Sequence, residues 1–378
     1  MMSKKIMMVA GEHSGDRLGG MLAKELYSID PRLDIFGMGG VAMKQEGVHI
    51  LADVTVLAVI GLGEAVKHYR IFRRIFYQAC QWMDEKKPDL LVLIDFPGFN
   101  LRLAKEAKKR NIRVIYYVSP QFWAWGQRRI HIIKSAVYKM IVILPFEKAF
   151  YDKHGIECEF VGHPLVDQYH LPIDTRKLRT LTQDADPVIS ILPGSRMNEI
   201  NRHLDILVQS ARLVRNIYPK ACFLIPCASE FIYGVIRQHV KNDSFIHVLQ
   251  GSMRDCLEVS QLAWVCSGTA TLETGVIGVP MIVIYKVSKL TAWLARILIK
   301  VPYIGLVNLV AGKRIVPELL QKEVNPNTIK DLSVPLIEKK SEYEKMHMEL
   351  SGIREKLGAP GASRRAAKCI MECIEVGA

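Results

Sequence analysis

The sequence predicts an α/β protein built from two doubly wound parallel sheets. Short apolar runs alternate with helical patterns, and this alternation occurs twice, on either side of a polar stretch at Leu171–Pro187. Such alternation is typical of βαβ units, in which neighbouring strands run parallel. The 378 residues are enough for two domains, each with its own core. We therefore expect two similar halves, joined by the polar stretch, with a cleft between them.

The first half contains apolar runs of strand length, with helical spacing of apolar residues between them. The predicted strands are Lys5–Ala10, Leu90–Asp95, Arg113–Val118, Met140–Leu144 and Glu159–Val161. The predicted helices are Leu18–Tyr27, Ala65–Trp82, Asn100–Lys109 and Phe146–Lys153. We assign residues 1–170 to an N-terminal domain.

The second half repeats the alternation. Its predicted strands are Val188–Leu192, Ala221–Pro226, Phe245–Leu249, Leu262–Cys266 and Met281–Tyr285. Its predicted helices are Arg202–Ile217, Glu230–Val240, Met253–Ser260 and Ala270–Gly275. We assign residues 187–345 to a C-terminal domain. The last helix, Ser363–Val376, fits either half, and we place residues 360–378 with the N-terminal domain.

The composition is that of a folded globular protein, with 49% hydrophobic and 24% charged residues. Lys4 and Lys5 are followed by only a short apolar run, so we expect no signal peptide. No apolar run reaches the ~18 residues that a membrane-spanning helix needs. The eight cysteines are scattered without a C-x-x-C pair, which favours free thiols in a reducing cytoplasm.

The net charge of +13 points to an anionic partner. Basic and large apolar residues alternate in Lys67–Phe76 and in Thr291–Lys300, a pattern that suits an anionic bilayer surface or a lipid substrate. We therefore name Arg70 and Arg73 as candidate acceptor or lipid contacts. Two ordinary amphipathic helices, each packed on its own domain, explain the pattern equally well. We expect no nucleic-acid partner, because the sequence contains no RNA-binding aromatic motif and no Cys/His finger.

The turn after the first predicted strand, Gly11–Asp16, is the strongest local signal. A strand that ends in a glycine turn and opens a helix places side chains at the edge of the sheet where α/β proteins bind ligands. Glu12 and Asp16 would repel a phosphate, but each can orient a hydroxyl or accept a proton. The alternative is that Ser14 or Asp16 caps the following helix.

Asp95 ends another predicted strand and is a candidate general base. Adjacent parallel strands present their C-terminal ends on the same side of a sheet, so Asp95 is expected on the same edge as Glu12 and Asp16. Its alternative role is a helix cap, for which Asn100 is better suited. Trp123 and Trp125 follow the next strand, and they can hold a sugar face or an acyl chain, or belong to the core.

Two turns in the second half suit a nucleotide diphosphate. Gly-Ser-Arg follows the strand Val188–Leu192, and a run of small residues follows Leu262–Cys266. Such turns offer backbone N–H groups and a helix start to phosphate oxygens, an arginine adds a fork of donors, and a glutamate can accept hydrogen bonds from ribose hydroxyls. The candidate donor-site residues are Gly194, Ser195, Arg196, Ser267, Gly268, Thr269, Ala270 and Glu273.

Nine segments, in order along nearly the whole chain, resemble the lipid-A-disaccharide synthase family. They are GExSGD at Gly11–Asp16, GMGG at Gly37–Gly40, IDxP at Ile94–Pro97, VSPxxWAW at Val118–Trp125, LPFE at Leu144–Glu147, GHPLVD at Gly162–Asp167, LPGSR at Leu192–Arg196, SGTATLE at Ser267–Glu273 and PxLLQ at Pro317–Gln321. The resemblance implies the GT-B fold, with two Rossmann-like domains. It also implies a homodimer, no cofactor and no required metal.

The same resemblance implies the reaction. Such enzymes transfer 2,3-diacylglucosamine from UDP to the 6-hydroxyl of 2,3-diacylglucosamine 1-phosphate, giving the β-1,6-linked disaccharide 1-phosphate and UDP. The implied location is peripheral, on the cytoplasmic face of the inner membrane. One position departs from the pattern: family members read IDxPDFN, whereas this chain has Gly98 in place of the second acid. Asp95 or Glu12 then carries the base role, and we favour Asp95.

Two other functions are open to such a sequence. A UDP-GlcNAc 2-epimerase, or another UDP-GlcNAc transferase, would share the fold and a glutamate on the ribose. A basic membrane-bound or RNA-binding module without catalytic activity would share the positive charge.

Overall fold

The computed structural model describes residues 3–55, 65–124, 126–169, 172–227, 229–251, 253–288, 291–293 and 301–375. The chain divides into two compact units. The N-terminal unit comprises Met1–Asp167 and Leu357–Ala378, and the C-terminal unit comprises Gln168–Lys356. Each unit is an α/β layer structure around one parallel sheet, as the sequence predicted.

The sheet of the N-terminal unit has seven strands in the order β3-β2-β1-β4-β5-β6-β7, and all the pairings between them are parallel. The strands are β1 (Lys5–Ala10), β2 (Asp34–Gly39), β3 (His49–Asp53), β4 (Leu90–Ile94), β5 (Arg113–Tyr117), β6 (Lys139–Val142) and β7 (Cys158–Phe160). Sequence reasoning missed β2 and β3. Glycines weaken the strand signal of β2, and β3 is a short strand that is only half-buried.

Helices cover both faces of this sheet. They are α1 (His13–Ile29), α2 (Val41–Gln45), α3 (Ala65–Lys86), α4 (Pro97–Lys109), α5 (Ile130–Ala136), α6 (Pro145–Lys153) and, from the end of the chain, α16 (Ala362–Glu375). The helix α7 (Pro164–Tyr169) contains the boundary between the two units. The last helix, α16, packs against α1. With helices on both faces, the strands β1 and β4 read as continuous apolar runs and are almost completely buried.

The sheet of the C-terminal unit has six parallel strands in the order β10-β9-β8-β11-β12-β13. The strands are β8 (Val188–Leu192), β9 (Cys222–Cys227), β10 (Ile246–Gln250), β11 (Leu262–Cys266), β12 (Met281–Tyr285) and β13 (Glu318–Leu320). The helices are α8 (Arg176–Leu181), α9 (Met197–Ile217), α10 (Glu230–His239), α11 (Met253–Glu258), α12 (Thr269–Ile277), α13 (Leu306–Ala311), α14 (Pro326–Glu338) and α15 (Lys340–Lys356).

Two parts of this unit differ from the sequence prediction. The expected linker, Leu171–Pro187, contains the short helix α8, none of whose residues is buried. The strand β13 and the helices α13 to α15 were not predicted. β13 is only three residues long, and a run that short carries no periodicity.

Both sheets have a topological switch point. In the N-terminal unit, the order runs outward from β1 to β3 on one side and from β4 to β7 on the other, so β1 and β4 are the central neighbours. In the C-terminal unit, β8 and β11 hold the same position. Ligands of open α/β sheets bind beyond the carboxyl ends of the strands at such points. The turns after β1, β4, β8 and β11 are therefore the prime candidates, and sequence analysis had selected all four.

Candidate active site residues in the two units

Asp16 lies at the switch point of the N-terminal unit, but its carboxylate is used for structure. The side chain is buried and accepts hydrogen bonds from the backbone N–H groups of Gly40 (2.7 Å), Ala42 (2.9 Å) and Met43 (3.1 Å). These amides open α2, so the carboxylate joins the Gly11–Asp16 turn to the Gly37–Gly40 segment. We therefore give Asp16 a positioning role in place of the catalytic role that the sequence suggested.

The helix-cap interpretation of this turn is not what the structure shows. α1 begins at His13, its N-cap residue is Glu12, and no side-chain hydrogen bond caps it in the described structure. Glu12 is half-buried at the end of β1. It stays, with Asp95, a candidate for proton transfer.

Asp95 and Phe96 form a strained turn at the end of β4. Both have left-handed backbones, with φ of +47° and +49°, a conformation that residues other than glycine rarely adopt. The ring of Phe96 lies directly over Gly11, where a side-chain carbon would collide with the ring atoms. Because β1 pairs with β4 and Ala10 lies opposite Ile94, the two turns are neighbours. The structure thus brings the Glu12 and Asp95 segments together.

The position that departs from the family pattern, Gly98, is exposed. A side-chain carbon built there would meet no atom of the described chain within 4 Å. The fold therefore has room for an acid at this position, although this sequence does not supply one.

The helix α3 borders the Asp95 turn. Arg70 and Arg73 are exposed on it, and the Arg73 guanidinium lies 5.6 Å from the ring centre of Tyr77. Phe72, the residue before Arg73, is half-buried, and its ring lies 6.3 Å from that of Phe96. The helix α3 is therefore next to the turn that carries Asp95 and contacts it through Phe72. Much of the second basic segment, Thr291–Lys300, falls outside the described residues.

Trp123 belongs to a buried polar cluster. Its indole N–H donates to Glu147 Oε1 over 3.0 Å, and the backbone N–H of Leu144 donates to Glu147 Oε2 over 3.0 Å. Trp123 and Glu147 are both buried, so the core interpretation of Trp123 fits this geometry better than a substrate contact. Trp125 lies outside the described residues. Sequence reasoning assigned Glu147 no role, although it belongs to the Leu144–Glu147 motif.

Burial raises the pKa of Glu147 to about 7 from the usual 4.5. Between these values the folded protein binds more protons at this group than the unfolded chain does. The contribution of Glu147 to the free energy of unfolding is therefore expected to fall by up to about 3 kcal/mol as the pH rises from 4.5 to 7. Glu147→Gln removes this contribution, so its unfolding free energy should rise more steeply with pH, as measured by urea unfolding across this range.

His163 provides an internal comparison of opposite sign. Burial lowers the pKa of His163 to about 4 from 6.5, so its contribution to stability rises with pH between these values. Glu147→Gln does not change the contribution of His163. In this variant the rise of the unfolding free energy with pH that comes from His163 is no longer offset by Glu147. The same pH slope in wild type and variant would show that Glu147 does not titrate in this range.

The turn after β8 differs from the expectation of open backbone donors. Glu199 Oε2 accepts hydrogen bonds from the backbone N–H groups of Ser195 (3.0 Å) and Arg196 (3.3 Å). Gly194, with φ of +118°, allows this close approach, because a side-chain carbon there would collide with the Glu199 carboxylate. The Arg196 side chain is 58% exposed, and its Nη1 lies 3.7 Å from Glu199 Oε1. The arginine side chain, and not the turn's own amides, is thus placed to meet an anion.

His203 holds the turn after β8 through hydrogen bonds from the interior of the unit. It is fully buried, its Nδ1–H donates to the Pro193 carbonyl over 2.9 Å, and its Nε2 accepts from the Lys286 backbone N–H over 3.1 Å. This pairing needs a neutral ring, and burial lowers the pKa of His203 accordingly. The residue ties the turn after β8 to the end of β12. The sequence did not reveal this link between the turn after β8 and the end of β12, because a single histidine on an apolar helix face does not indicate its hydrogen-bond partners.

The turn after β11 leaves open space at the start of a helix. Gly268 is the N-cap residue of α12, and a side-chain carbon built on it would meet no described atom within 4 Å. Thr269 is exposed, and Ala270 and Glu273 are half-buried. Ser267 Oγ donates to the Ile304 carbonyl over 2.9 Å, so this hydroxyl holds the neighbouring loop and does not cap α12.

Glu318 fixes that neighbouring loop. Its buried carboxylate accepts from the backbone N–H groups of Ile304 and Gly305, both over 2.9 Å, and from Asn308 Nδ2 over 2.8 Å. Glu318 is the variable residue of the PxLLQ motif, to which sequence reasoning gave no role. Through the loop it supports Ser267 and the turn after β11. In the described part of the chain, no group of three or more His, Cys, Asp or Glu side chains is arranged to hold a metal.

Comparison with known proteins decides the family. A family model described as lipid-A-disaccharide synthetase matches residues 6–374. The chain is 40% identical over 364 residues to lipid-A-disaccharide synthase 1 of Legionella pneumophila, an alignment that covers 95% of each chain. The chain belongs to the lipid-A-disaccharide synthase family. It is therefore a glycosyltransferase of lipid A biosynthesis, as the motifs predicted, and not a module without catalytic activity.

Solved structures show the fold at much lower identity. A UDP-GlcNAc 2-epimerase from Neisseria meningitidis, bound to UDP-GlcNAc, matches with a TM-score of 0.67 at 14% identity and covers 98% of this chain and 100% of its own. A calicheamicin glycosyltransferase matches with a TM-score of 0.62 at 14% identity and covers 100% of both chains. The chain therefore has the predicted GT-B fold, which these transferases and epimerases share.

Proposed function

We propose that the protein transfers 2,3-diacylglucosamine from UDP to the 6-hydroxyl of 2,3-diacylglucosamine 1-phosphate, with inversion at the anomeric carbon. The products are the β-1,6-linked disaccharide 1-phosphate and UDP. The observation that carries this proposal is the chemistry of the two switch points. One carries Glu12 and Asp95 on neighbouring turns, and the other carries the exposed Arg196 and an open helix start at Gly268.

In this proposal Asp95 is the general base. Its carboxylate takes the proton of the acceptor hydroxyl while that oxygen forms a bond to the anomeric carbon, and the bond from this carbon to the UDP oxygen breaks on the opposite face. The strained backbone of Asp95 supports the assignment, because left-handed residues other than glycine cluster at functional sites. Glu12, on the neighbouring turn, is the alternative base.

We assign the UDP group to the C-terminal unit. The exposed guanidinium of Arg196 can stabilise the negative charge that develops on the departing diphosphate. The space at Gly268, before the start of α12, suits a phosphate or a ribose, and Glu273 can accept hydrogen bonds from ribose hydroxyls. With a cation and helix starts in these places, the proposal requires no metal.

We assign lipid contacts to α3, whose exposed Arg70 and Arg73 suit an anionic bilayer surface on the cytoplasmic side of the inner membrane. Among the helices of the described chain, none combines the length and the apolarity needed to cross a bilayer. Peripheral binding is therefore part of the proposal. The resemblance to the family also supports a homodimer.

A direct assay tests the reaction. The full chain is incubated with UDP-2,3-diacylglucosamine and 2,3-diacylglucosamine 1-phosphate, and mass spectrometry is expected to show the disaccharide 1-phosphate together with free UDP. Water-soluble UDP-GlcNAc serves as the control donor and should remain unchanged. Epimerised UDP-GlcNAc, or UDP release without disaccharide, would contradict the proposal.

A further inference from the structure

The carbonyl oxygen of Asp95 is held by two side chains from inside the N-terminal unit. Tyr116 Oη donates to it over 2.6 Å, and Asn100 Nδ2 donates to it over 2.7 Å. Asn100 lies at the start of α4, whereas Tyr116 comes from the neighbouring strand β5. The two donors meet on the carbonyl that follows the left-handed Cα of Asp95.

The strain in this turn explains why the carbonyl needs such donors. Asp95 and Phe96 both have left-handed backbones, so the carbonyl of Asp95 does not follow the hydrogen-bonding pattern of the parallel sheet. The Asp95 N–H still donates to the Tyr117 carbonyl. The carbonyl is partly buried, and a carbonyl removed from water without a partner is costly, so the turn would relax without these donors and move the attached carboxylate. The end of β5 is strained as well, because Val118 has φ of +65°.

Tyr116 is suited to this task by its place in the sheet. It lies opposite Leu93 in the register of β4 and β5, and its side chain is completely buried. Burial raises the pKa of Tyr116 well above its usual range, so the hydroxyl keeps its proton and donates. The next residue, Tyr117, points to the other face of the sheet, as alternation along a strand requires. Only the first of these two tyrosines can reach Asp95 from this face.

We propose that Tyr116 is a positioning residue of the transferase reaction, which fixes the carboxylate of Asp95 by holding its backbone carbonyl. This inference rests on the proposed role of Asp95 as the base. Tyr116 itself does not touch the substrate. Its hydroxyl sets the geometry of the turn in which the base lies, so its loss should affect turnover more than substrate binding.

Tyr116→Phe removes only the hydroxyl and keeps the buried ring. We expect kcat to fall about tenfold, the size of one lost hydrogen bond, with the KM for the UDP-sugar almost unchanged. Tyr151→Phe is the matched control, since Tyr151 is also buried in this unit and its hydroxyl pairs with Ser119 Oγ over 2.7 Å. Both variants lose one hydrogen bond made by a buried tyrosine side chain, but only Tyr116→Phe should slow turnover. Equal kcat in the two variants would overturn the inference.

A double variant separates this inference from the proposed reaction. If Tyr116 acts through Asp95, Asp95→Asn combined with Tyr116→Phe should be no slower than Asp95→Asn alone. A further tenfold loss in the double variant would show that Tyr116 acts independently of Asp95 and would overturn the inference, while the base assignment would stand. Wild-type turnover in Asp95→Asn would overturn both, and absence of disaccharide from the wild-type protein would overturn the proposed function itself.

Discussion

Asp95→Asn is expected to lower kcat by about 10²- to 10⁴-fold, the range for loss of a general base. The amide keeps the size of the carboxylate but cannot take a proton from the acceptor hydroxyl. The KM for the UDP-sugar should change little, because the proposed donor site lies in the other unit. Steady-state kinetics with both lipid substrates measures the effect.

Asp89→Asn is a matched control for this result. Asp89 immediately precedes β4 and accepts a hydrogen bond from the Lys5 backbone N–H over 2.8 Å, at the opposite end of the same strand. The same chemical change is therefore made far from the switch point. Comparable loss of kcat in both variants would mean that Asp95→Asn acts through the stability of the strand and not through proton transfer.

Gly98→Asp discriminates between the two acids of the family pattern. Because the site has open space, the substitution restores the second acid of IDxPDFN without a clash. If Asp95 is the base, Gly98→Asp should not rescue Asp95→Asn. Recovery of turnover in that double variant would instead assign proton transfer to the acid at position 98, and Glu12 would then be the leading candidate in the natural sequence.

Arg196→Ala is expected to lower kcat/KM roughly 30- to 1,000-fold, which corresponds to a loss of about 2–4 kcal/mol of transition-state stabilisation. This is the range for the loss of one preorganised hydrogen-bond donor to developing charge. The loss should be large because the neighbouring amides of Ser195 and Arg196 already bind Glu199 and cannot replace the guanidinium. Removal of the cation also leaves the Glu199 carboxylate near the position that we propose for the departing diphosphate. Initial rates at varied UDP-sugar concentration give the value.

Arg237→Ala controls for the loss of one positive charge in the same unit. Arg237 is exposed in the last turn of α10, toward the end of that helix away from the switch point. It should retain wild-type kcat/KM. If Arg196→Ala matches Arg237→Ala, the donor phosphate lies elsewhere, and the start of α12 becomes the remaining candidate.

The sequence predicted the central strands of both sheets well. The strands β1, β8, β11 and β12 begin and end at the predicted residues, because strands buried on both faces are continuous runs of large apolar side chains. It failed on β2, β3 and β13, which are rich in glycine, half-buried or very short. In those strands the neighbours in the sheet, and not local propensity, select the extended conformation.

The candidate site was predictable in position but only partly in role. The four turns at the switch points were recognisable because glycine, acidic and small residues interrupt apolar runs there. Two carboxylates show the limit. Asp16 was named as catalytic and instead binds amides 24 to 27 residues further along the chain, and Glu199 was not considered although it closes the amides of the turn after β8. A local pattern does not reveal the partner of a side chain.

The sequence alone determined the family, the two parallel sheets and the four turns that end their central strands, because these depend on the order of apolar and turn-forming residues along the chain. Tertiary structure alone decided that β1 lies beside β4 and β8 beside β11. It also decided which polar side chains support the backbone, as Tyr116, His203 and Glu318 do, and which lie exposed at a turn, as Arg196 does. The physical reason is that hydrogen-bond partners and burial arise from residues far apart in sequence, which only packing brings together.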